Sequence, residues 1–153
     1  MSAFVAIGTS DTFELTNDGW FPDIDANLAR ETLRLDGSIT DARLEAALVN
    51  AMLSVNQDLA GFKALAVVML HPSLGDMPSS QINEESRLVH LYKRAVICTA
   101  GAELVERYRS FDTSAEGNKN AEALTPNIDE LRRDARWAVR DLLGTRRTSV
   151  ALI

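Results

Sequence analysis

The sequence predicts an all-α protein: a small antiparallel helical bundle of three main helices and a short leading helix, with extended N- and C-terminal tails. Three observations predict this class. Apolar residues recur every three to four positions over three long stretches, capping and turn residues bracket those stretches, and the connections are short. The 153 residues, 46% hydrophobic and 25% charged, suit one ordinary folded domain.

The chain is predicted to have three parts. Residues 1–19 carry glycine, serine, aspartate and asparagine where they interrupt any helical period, so we expect an extended or mobile arm. Residues 20–144 form the helical domain. Residues 145–153 form a C-terminal docking tail that is rich in β-branched residues. Only the two termini are expected to contribute strand.

The short leading helix is predicted to begin after Pro22 and to end at about Leu35. Pro22 stops any preceding helix, and Asp23 can cap the new one, because an early acid suits the positive end of the helix dipole. The turn at residues 36–38, Asp-Gly-Ser, then ends the helix.

The longest predicted helix opens at residues 38–41, Ser-Ile-Thr-Asp, and runs to about Leu70. Gly61 weakens this helix, because glycine in a helix interior is about 1 kcal/mol less stable than alanine. The apolar residues at helical spacing are Leu44, Leu48, Ala51, Met52, Val55, Leu59 and Phe62.

Two further helices complete the predicted bundle, separated from their neighbours by loops at 71–82 and 110–124. The third begins near Asn83 and ends around Arg109, with an apolar stripe of Leu88, Leu91, Ala95, Cys98, Ala102 and Val105. The fourth opens at Thr125-Pro126, with proline in the favoured first position, and ends at Gly144. Its apolar face consists of Ile128, Leu131, Ala135, Ala138 and Leu142.

The formal net charge of −6 is concentrated in the first half of the chain. Residues 1–77 carry 11 acids and 4 bases, whereas residues 78–153 carry 11 acids and 12 bases. Affinity for nucleic acid depends on Lys and Arg side chains that neutralise phosphates, so this balance disfavours a DNA-binding domain.

A cytosolic, soluble protein is the expectation from three further features. The single cysteine cannot form an internal disulfide framework, which fits a reducing compartment. No basic residue precedes Arg30, so no secretory signal is expected. The longest wholly apolar run, residues 64–70, is too short to span a bilayer, and we expect no membrane partner.

Catalytic and metal motifs are missing from the sequence, and no cofactor is expected. His71 and His90 stand 19 residues apart without Cys or carboxylate at ligand spacing, so we interpret them as a helix-end and a partly exposed histidine. Asp23 and Asp25 match the opening of a calcium-binding EF-hand loop. The match then fails, because the glycine position is Leu28 and the bidentate glutamate position is Arg34.

Three side chains that could be functional are interpreted as parts of the core. Cys98 lies on an apolar stripe, and nothing nearby in sequence would lower the pKa of its thiol, so we expect an inert core thiol. Tyr108 and Trp137 could anchor an interface, but large aromatic residues are more often buried in the core.

A basic stripe is predicted on the fourth helix, where Arg132, Arg136 and Arg140 follow one another at intervals of four. Arg146 and Arg147 extend it. The stripe could dock on an acidic protein surface or line a DNA-bearing channel, or it could be a solvated face.

The tail ends on four apolar residues that would be exposed unless something covers them. Adding a strand to a partner, packing into a partner's groove, or folding back onto its own bundle would each do so. The candidate interface residues are Arg146, Arg147, Ser149, Val150, Ala151, Leu152 and Ile153.

A set of short segments, in this order and spacing, resembles the head completion protein (GPL) family of contractile-tailed temperate phages. The resemblance extends from Trp20 to Ile153, with Arg132 standing where the family has an aromatic residue. The segments that carry it are residues 20–25 (Trp-Phe-Pro-Asp-Ile-Asp), 34–35, 42–44, 92, 94–96, 106–109, 112, 114–115, 129–131, 133–134 and 136–139 (Arg-Trp-Ala-Val).

The resemblance implies a virion structural protein with no catalytic residues. It would be a head–tail adaptor that binds the portal protein after DNA packaging and joins neighbouring copies of itself in a ring, twelve to match the portal. The ring would extend the DNA channel, let packaged DNA pass without sequence-specific binding, and meet the next neck or tail completion protein. It would lie in the virion neck after assembly in the host cytoplasm.

Other function classes stay open at this level. A generic helical protein-binding module unrelated to phage assembly would share the bundle. A small enzyme would need a concave pocket with titrating groups within reach of one another, which the sequence does not show.

Overall fold

The computed structural model describes residues 12–109 and 128–145, and over those residues the protein is mostly helical. The predicted all-α class is confirmed, with two small strand pairs added. The elements are β1 (Glu14–Leu15), β2 (Ile24–Asp25), α1 (Ala26–Thr32), α2 (Asp41–Asp58), α3 (Ala60–Val68), a 3-10 helix (Leu74–Asp76), β3 (Gln81–Ile82), β4 (Glu85–Ser86), α4 (Arg87–Arg109) and α5 (Ile128–Leu143).

Helix α4 is the centre of the bundle, and α2 and α5 both pack against it. Both neighbours run antiparallel to it. On the α5 side, Arg132 pairs with Glu106 late in α4, whereas Asp134 pairs with Arg94 early in α4. Large apolar side chains with almost no exposure fill the space between the helices, among them Leu44, Leu48, Val55, Leu59, Tyr92 and Val96.

The predicted 38–70 helix is divided at Leu59 into α2 and α3, so the single-helix prediction is wrong at this point. Leu59 leaves helical geometry, with φ −99° and ψ 6°, while its side chain stays fully buried. The break turns the chain so that Phe62 reaches Trp20, with 6.4 Å between the ring centroids. Apolar residues continue at helical spacing across the break, so periodicity could not reveal it.

Two glycines allow a matched test of backbone conformation. In α3, a Cβ at Gly61 would meet nothing within 4 Å, so Gly61→Ala is expected to raise the free energy of unfolding by up to about 1 kcal/mol. Gly144 follows α5 with φ +72°, so Gly144→Ala is expected to cost about 1 kcal/mol. Urea unfolding followed by circular dichroism measures both, and changes of equal sign would contradict the assignment.

Of the four strands, β1 lies in the N-terminal part of the chain, where strand was predicted, whereas β2, β3 and β4 lie inside the predicted helical domain. β1, inside the predicted arm, pairs antiparallel with β2, and the Ala26 N–H donates to the Phe13 carbonyl at 2.8 Å. β3 and β4 form an internal hairpin whose turn residues, Asn83 and Glu84, both have positive φ. The turn lacks glycine, the usual sequence signal for this geometry, so the hairpin was not predicted. Because the hairpin occupies residues 81–86, α4 begins at Arg87 rather than near residue 83.

Helix ends follow the capping rules where the sequence marked them. The Thr40 side chain accepts a hydrogen bond from the Arg43 N–H at the start of α2. At the other end of the chain, α5 stops before Gly144 as predicted. The predicted opening of this helix at Thr125-Pro126 lies outside the described residues.

The segment before β2 is held by one aspartate. The Asp18 carboxylate accepts the backbone N–H groups of Trp20 and Phe21, both at 2.9 Å, and the Lys63 ammonium at 2.7 Å. Burial alone would raise the pKa of Asp18, but these hydrogen bonds outweigh it and lower the pKa. The Trp20 indole N–H donates to the His71 carbonyl at 3.1 Å, which fastens this segment to the end of α3.

Candidate functional site

The two histidines occupy structural positions. The backbone N–H of His71 donates to Ala66 just after α3 ends. The His90 ring lies against the hairpin, with Nε2 2.7 Å from the Ile82 carbonyl and Nδ1 3.2 Å from a Glu85 carboxylate oxygen. Within residues 12–109 and 128–145, no group of three or more His, Cys, Asp or Glu is arranged to hold a metal ion.

The acids of the partial EF-hand match serve the backbone instead. Asp25 is the N-cap of α1, and its carboxylate accepts the N–H groups of Asn27 and Leu28. Asp23 accepts the Asn17 N–H at 2.7 Å. The Asp25 contacts are those of a helix N-cap. The prediction that Asp23 caps this helix is wrong, because the chain pairs as β2 at residues 24–25 and the helix begins only at Ala26.

One aromatic side chain on α5, Trp137, and one thiol on α4, Cys98, were predicted to belong to the core. Trp137 is half-buried, and the Arg133 guanidinium carbon lies 4.7 Å from the centroid of its ring. Cys98 is half-buried too, and burial raises the pKa of its thiol. Both positions agree with a packing role. The Tyr108 side chain lies outside the described residues.

The basic stripe is a real surface feature. Arg132, Arg136 and Arg140 are all exposed on one side of α5. Arg132 forms an ion pair with Glu106 at 2.6 Å. The side chains of Arg136 and Arg140 make no ion pair with the described residues. Two guanidinium groups are thus available to a partner.

The basic stripe forms one wall of an open groove of about 420 Å³ between α2, α4 and α5. Asp58, Glu103 and Glu106 lie on the opposite side. Its apolar lining comes from Val55, Ala102, Ala135 and Val139. The groove therefore combines charged sides with a small apolar surface.

A polar network in the interior was missed by the sequence analysis. The Tyr92 hydroxyl donates to Asn56 at 2.6 Å and accepts from Asn17 at 2.7 Å, and Asn56 donates to Asn17 at 3.0 Å. Burial raises the pKa of Tyr92 to about 12, although the hydrogen bond from Asn17 acts in the opposite direction. The network joins the first described segment to α2 and α4, so its role is structural.

Among the described residues, half of the large apolar side chains that are exposed lie on α3 and the turn after it. Leu65, Val67, Val68, Met69 and Leu70, here called the α3 surface, are each at least 50% exposed. Of the nine residues in α3 only Ala66 is buried. The sequence predicted a helix through this stretch to about Leu70, but its exposure was not predicted.

The predicted tail interface cannot be placed geometrically. Residues 146–153, which include Arg146, Arg147 and Ser149–Ile153, lie outside the described residues. Their assignment stays a prediction. In the part of the chain that is described, no helix is both long and apolar enough to cross a membrane.

Comparison with known proteins decides the family. The model of the phage head completion protein (GPL) family matches residues 15–153. The chain belongs to this family. The resemblance drawn from the short segments is therefore confirmed, and it extends five residues closer to the N-terminus than those segments did.

Two relatives of the phage head completion family illustrate the match. The head completion/stabilization protein of Escherichia phage P2 is 40% identical over 139 residues, covering 91% of this chain and 82% of the relative. The probable head completion/stabilization protein of Haemophilus phage HP1 is 30% identical over 143 residues, covering 94% of each chain. No solved structure matches the chain significantly.

Membership in the phage head completion family supports a structural role in the phage head. The family is one of structural proteins, and it is not known for enzymatic activity. The geometry agrees with that class: the described surface offers a charged groove and an exposed apolar helix for contacts with other proteins.

Proposed function

We propose that this protein completes the phage head by binding the portal vertex after DNA packaging. Copies of the chain join there as a ring, one for each portal subunit, which extends the DNA channel and receives the next neck or tail component. The observation that carries the proposal is the family match over residues 15–153. The role is structural and non-catalytic, in the virion neck after assembly in the host cytoplasm.

Three surfaces support a role in multiple contacts. The α3 surface is apolar and exposed, the groove beside α5 presents Arg136 and Arg140, and the tail supplies basic and apolar residues. A ring needs two different faces on each copy, since neighbours in a cyclic assembly meet head to tail. DNA would pass through such a ring without sequence-specific contacts, in keeping with the acidic first half of the chain.

Sedimentation velocity of the chain, alone and mixed with the portal ring of the same phage, tests the proposal. We expect the chain to co-sediment with the portal at about one copy per portal subunit, because one adaptor meets each repeat of a closed ring. A scaffold protein of the same phage serves as the control. A chain that stays free in the presence of the portal would contradict the proposal and favour a generic helical protein-binding module.

A further inference from the structure

The α3 surface is an uncharged apolar region that is exposed to solvent in the described part of the chain. Leu65 is 69% exposed, Val68 79% and Leu70 88%. No charged residue occurs between positions 64 and 70, and Lys63, just before them, is already paired with Asp18. Contiguous exposed apolar residues of this kind mark a docking site in a soluble protein.

We propose that residues 146–153 of the same chain pack on the α3 surface in the free protein. The placement of α5 and α3 in the bundle favours this contact. Helix α5 runs antiparallel to α4, so it ends beside the start of α4, and Asp58 at the end of α2 lines the same groove as Arg140. Helix α3 begins two residues after Asp58. The end of α5 and the start of α3 therefore lie at the same end of the bundle.

The length of residues 146–153 is comparable with the size of the α3 surface. Thr145 is held at the end of α5, where its N–H and hydroxyl both contact the Arg140 carbonyl. The eight residues that follow can extend about 26 Å. Helix α3, with nine residues, is only about 13 Å long. If four of the eight residues lie along α3, the other four leave about 13 Å for the crossing from the end of α5.

The side chains of the tail match the surfaces that they would contact. The last four of these residues, Val150–Ile153, are apolar, as a segment lying on an uncharged apolar helix should be. Arg146 and Arg147 precede them and would pass the end of α2. There the exposed Asp58 carboxylate has no ion-pair partner among the described residues. Charge and apolarity therefore match in the order in which the chain would meet them.

This contact belongs to the free chain and goes beyond the proposed function. In the assembled ring the tail docks on the portal or on an adjacent copy. Assembly would therefore replace the contact between the tail and the α3 surface by a contact between the tail and a partner. In the free state the tail and the α3 surface are both withheld from solvent and from other copies. Self-association through either of them is thereby suppressed.

Hydrogen–deuterium exchange of the full-length chain, read by mass spectrometry on peptides from the tail, tests the inference. The test variant is Leu65→Gln with Val68→Gln, which keeps helix propensity while removing two exposed apolar side chains. Leu28→Gln is the matched control. Leu28 is 48% exposed on α1, which joins the opposite end of α2 through the ion pair of Arg30 with Asp41.

We expect amides of residues 149–153 to exchange about tenfold more slowly in the wild type and in the control than in the double variant, at unchanged helicity. Equal exchange in all three proteins would overturn the inference. Slow exchange that appears only on raising the protein concentration would also overturn it, since the occupant would then be a second copy. Portal binding is scored separately, and its absence in the wild type would contradict the proposed function alone.

Discussion

Replacing Trp20 by alanine is expected to lower the free energy of unfolding by about 3–5 kcal/mol. The indole is only 6% exposed and meets Phe21 edge to face, with 4.8 Å between the ring centroids. It also contacts Phe62 and donates its N–H to the His71 carbonyl. The substitution therefore leaves a cavity where the segment before β2, α3 and the loop after it meet. Urea unfolding followed by far-UV circular dichroism measures the loss.

The matched control for this prediction is Trp137→Ala. Trp137 is half-buried on α5, and its identified ring contact is with the Arg133 guanidinium. A cation–π contact at a partly exposed site is worth about 0.5–1 kcal/mol, and less apolar area is uncovered, so the loss should be clearly smaller. If Trp137→Ala lowered the free energy of unfolding more than Trp20→Ala, the packing around Trp20 would contribute less to stability than we predict.

Helix positions could be predicted wherever local chemistry determines them. The Thr40 cap and the glycine after α5 satisfy backbone groups within a few residues, so the sequence marks them directly. At α1 the acid that caps the helix is Asp25 and not the predicted Asp23, because two neighbouring acids offer the same local signal. The apolar face of α5 was also predicted correctly, because a helix beside one neighbour buries one stripe: Leu131, Ala135, Ala138 and Leu142.

The α2–α3 break and the 81–86 hairpin could not be predicted in the same way. Leu59 leaves helical geometry and remains buried, and the resulting break lets Phe62 contact Trp20. Trp20 lies about forty residues earlier in the chain, so the local pattern cannot indicate this contact. At the hairpin, Asn83 and Glu84 adopt positive φ without glycine. In both cases tertiary contacts override a local pattern that favours helix or loop.

In the candidate site, too, the features set by local spacing could be predicted, and those set by tertiary contacts could not. The spacing of Arg132, Arg136 and Arg140 was enough to predict an exposed stripe, because a period of four places residues on one helix face. The opposite wall of the groove comes from α2 and α4, and the pairing of Arg132 with Glu106 joins residues 26 apart. The α3 surface was missed because apolar periodicity predicts which residues avoid water, and not whether this chain or a partner covers them.

Deleting residues 149–153 is expected to abolish portal binding at micromolar concentrations while far-UV circular dichroism stays unchanged. Burying one Val, Leu or Ile side chain contributes about 1.5–3 kcal/mol, so two such contacts correspond to about a hundredfold or more in Kd. The described helices end at Leu143, before the deletion, and the buried side chains of the described residues form the core without it. The bundle should therefore persist. Co-sedimentation with the portal ring of the same phage measures the loss.

Two variants separate the apolar contribution from other effects of the deletion. Substituting Arg146 and Arg147 with glutamine keeps the apolar end, so most of the portal affinity should remain, and its salt dependence should fall. The Leu65→Gln, Val68→Gln protein keeps the whole tail but weakens its contact with the α3 surface, so it should bind the portal at least as well as the wild type. If the deleted chain binds the portal as the full chain does, the tail is not the docking segment, and the groove beside α5 becomes the leading candidate for the contact.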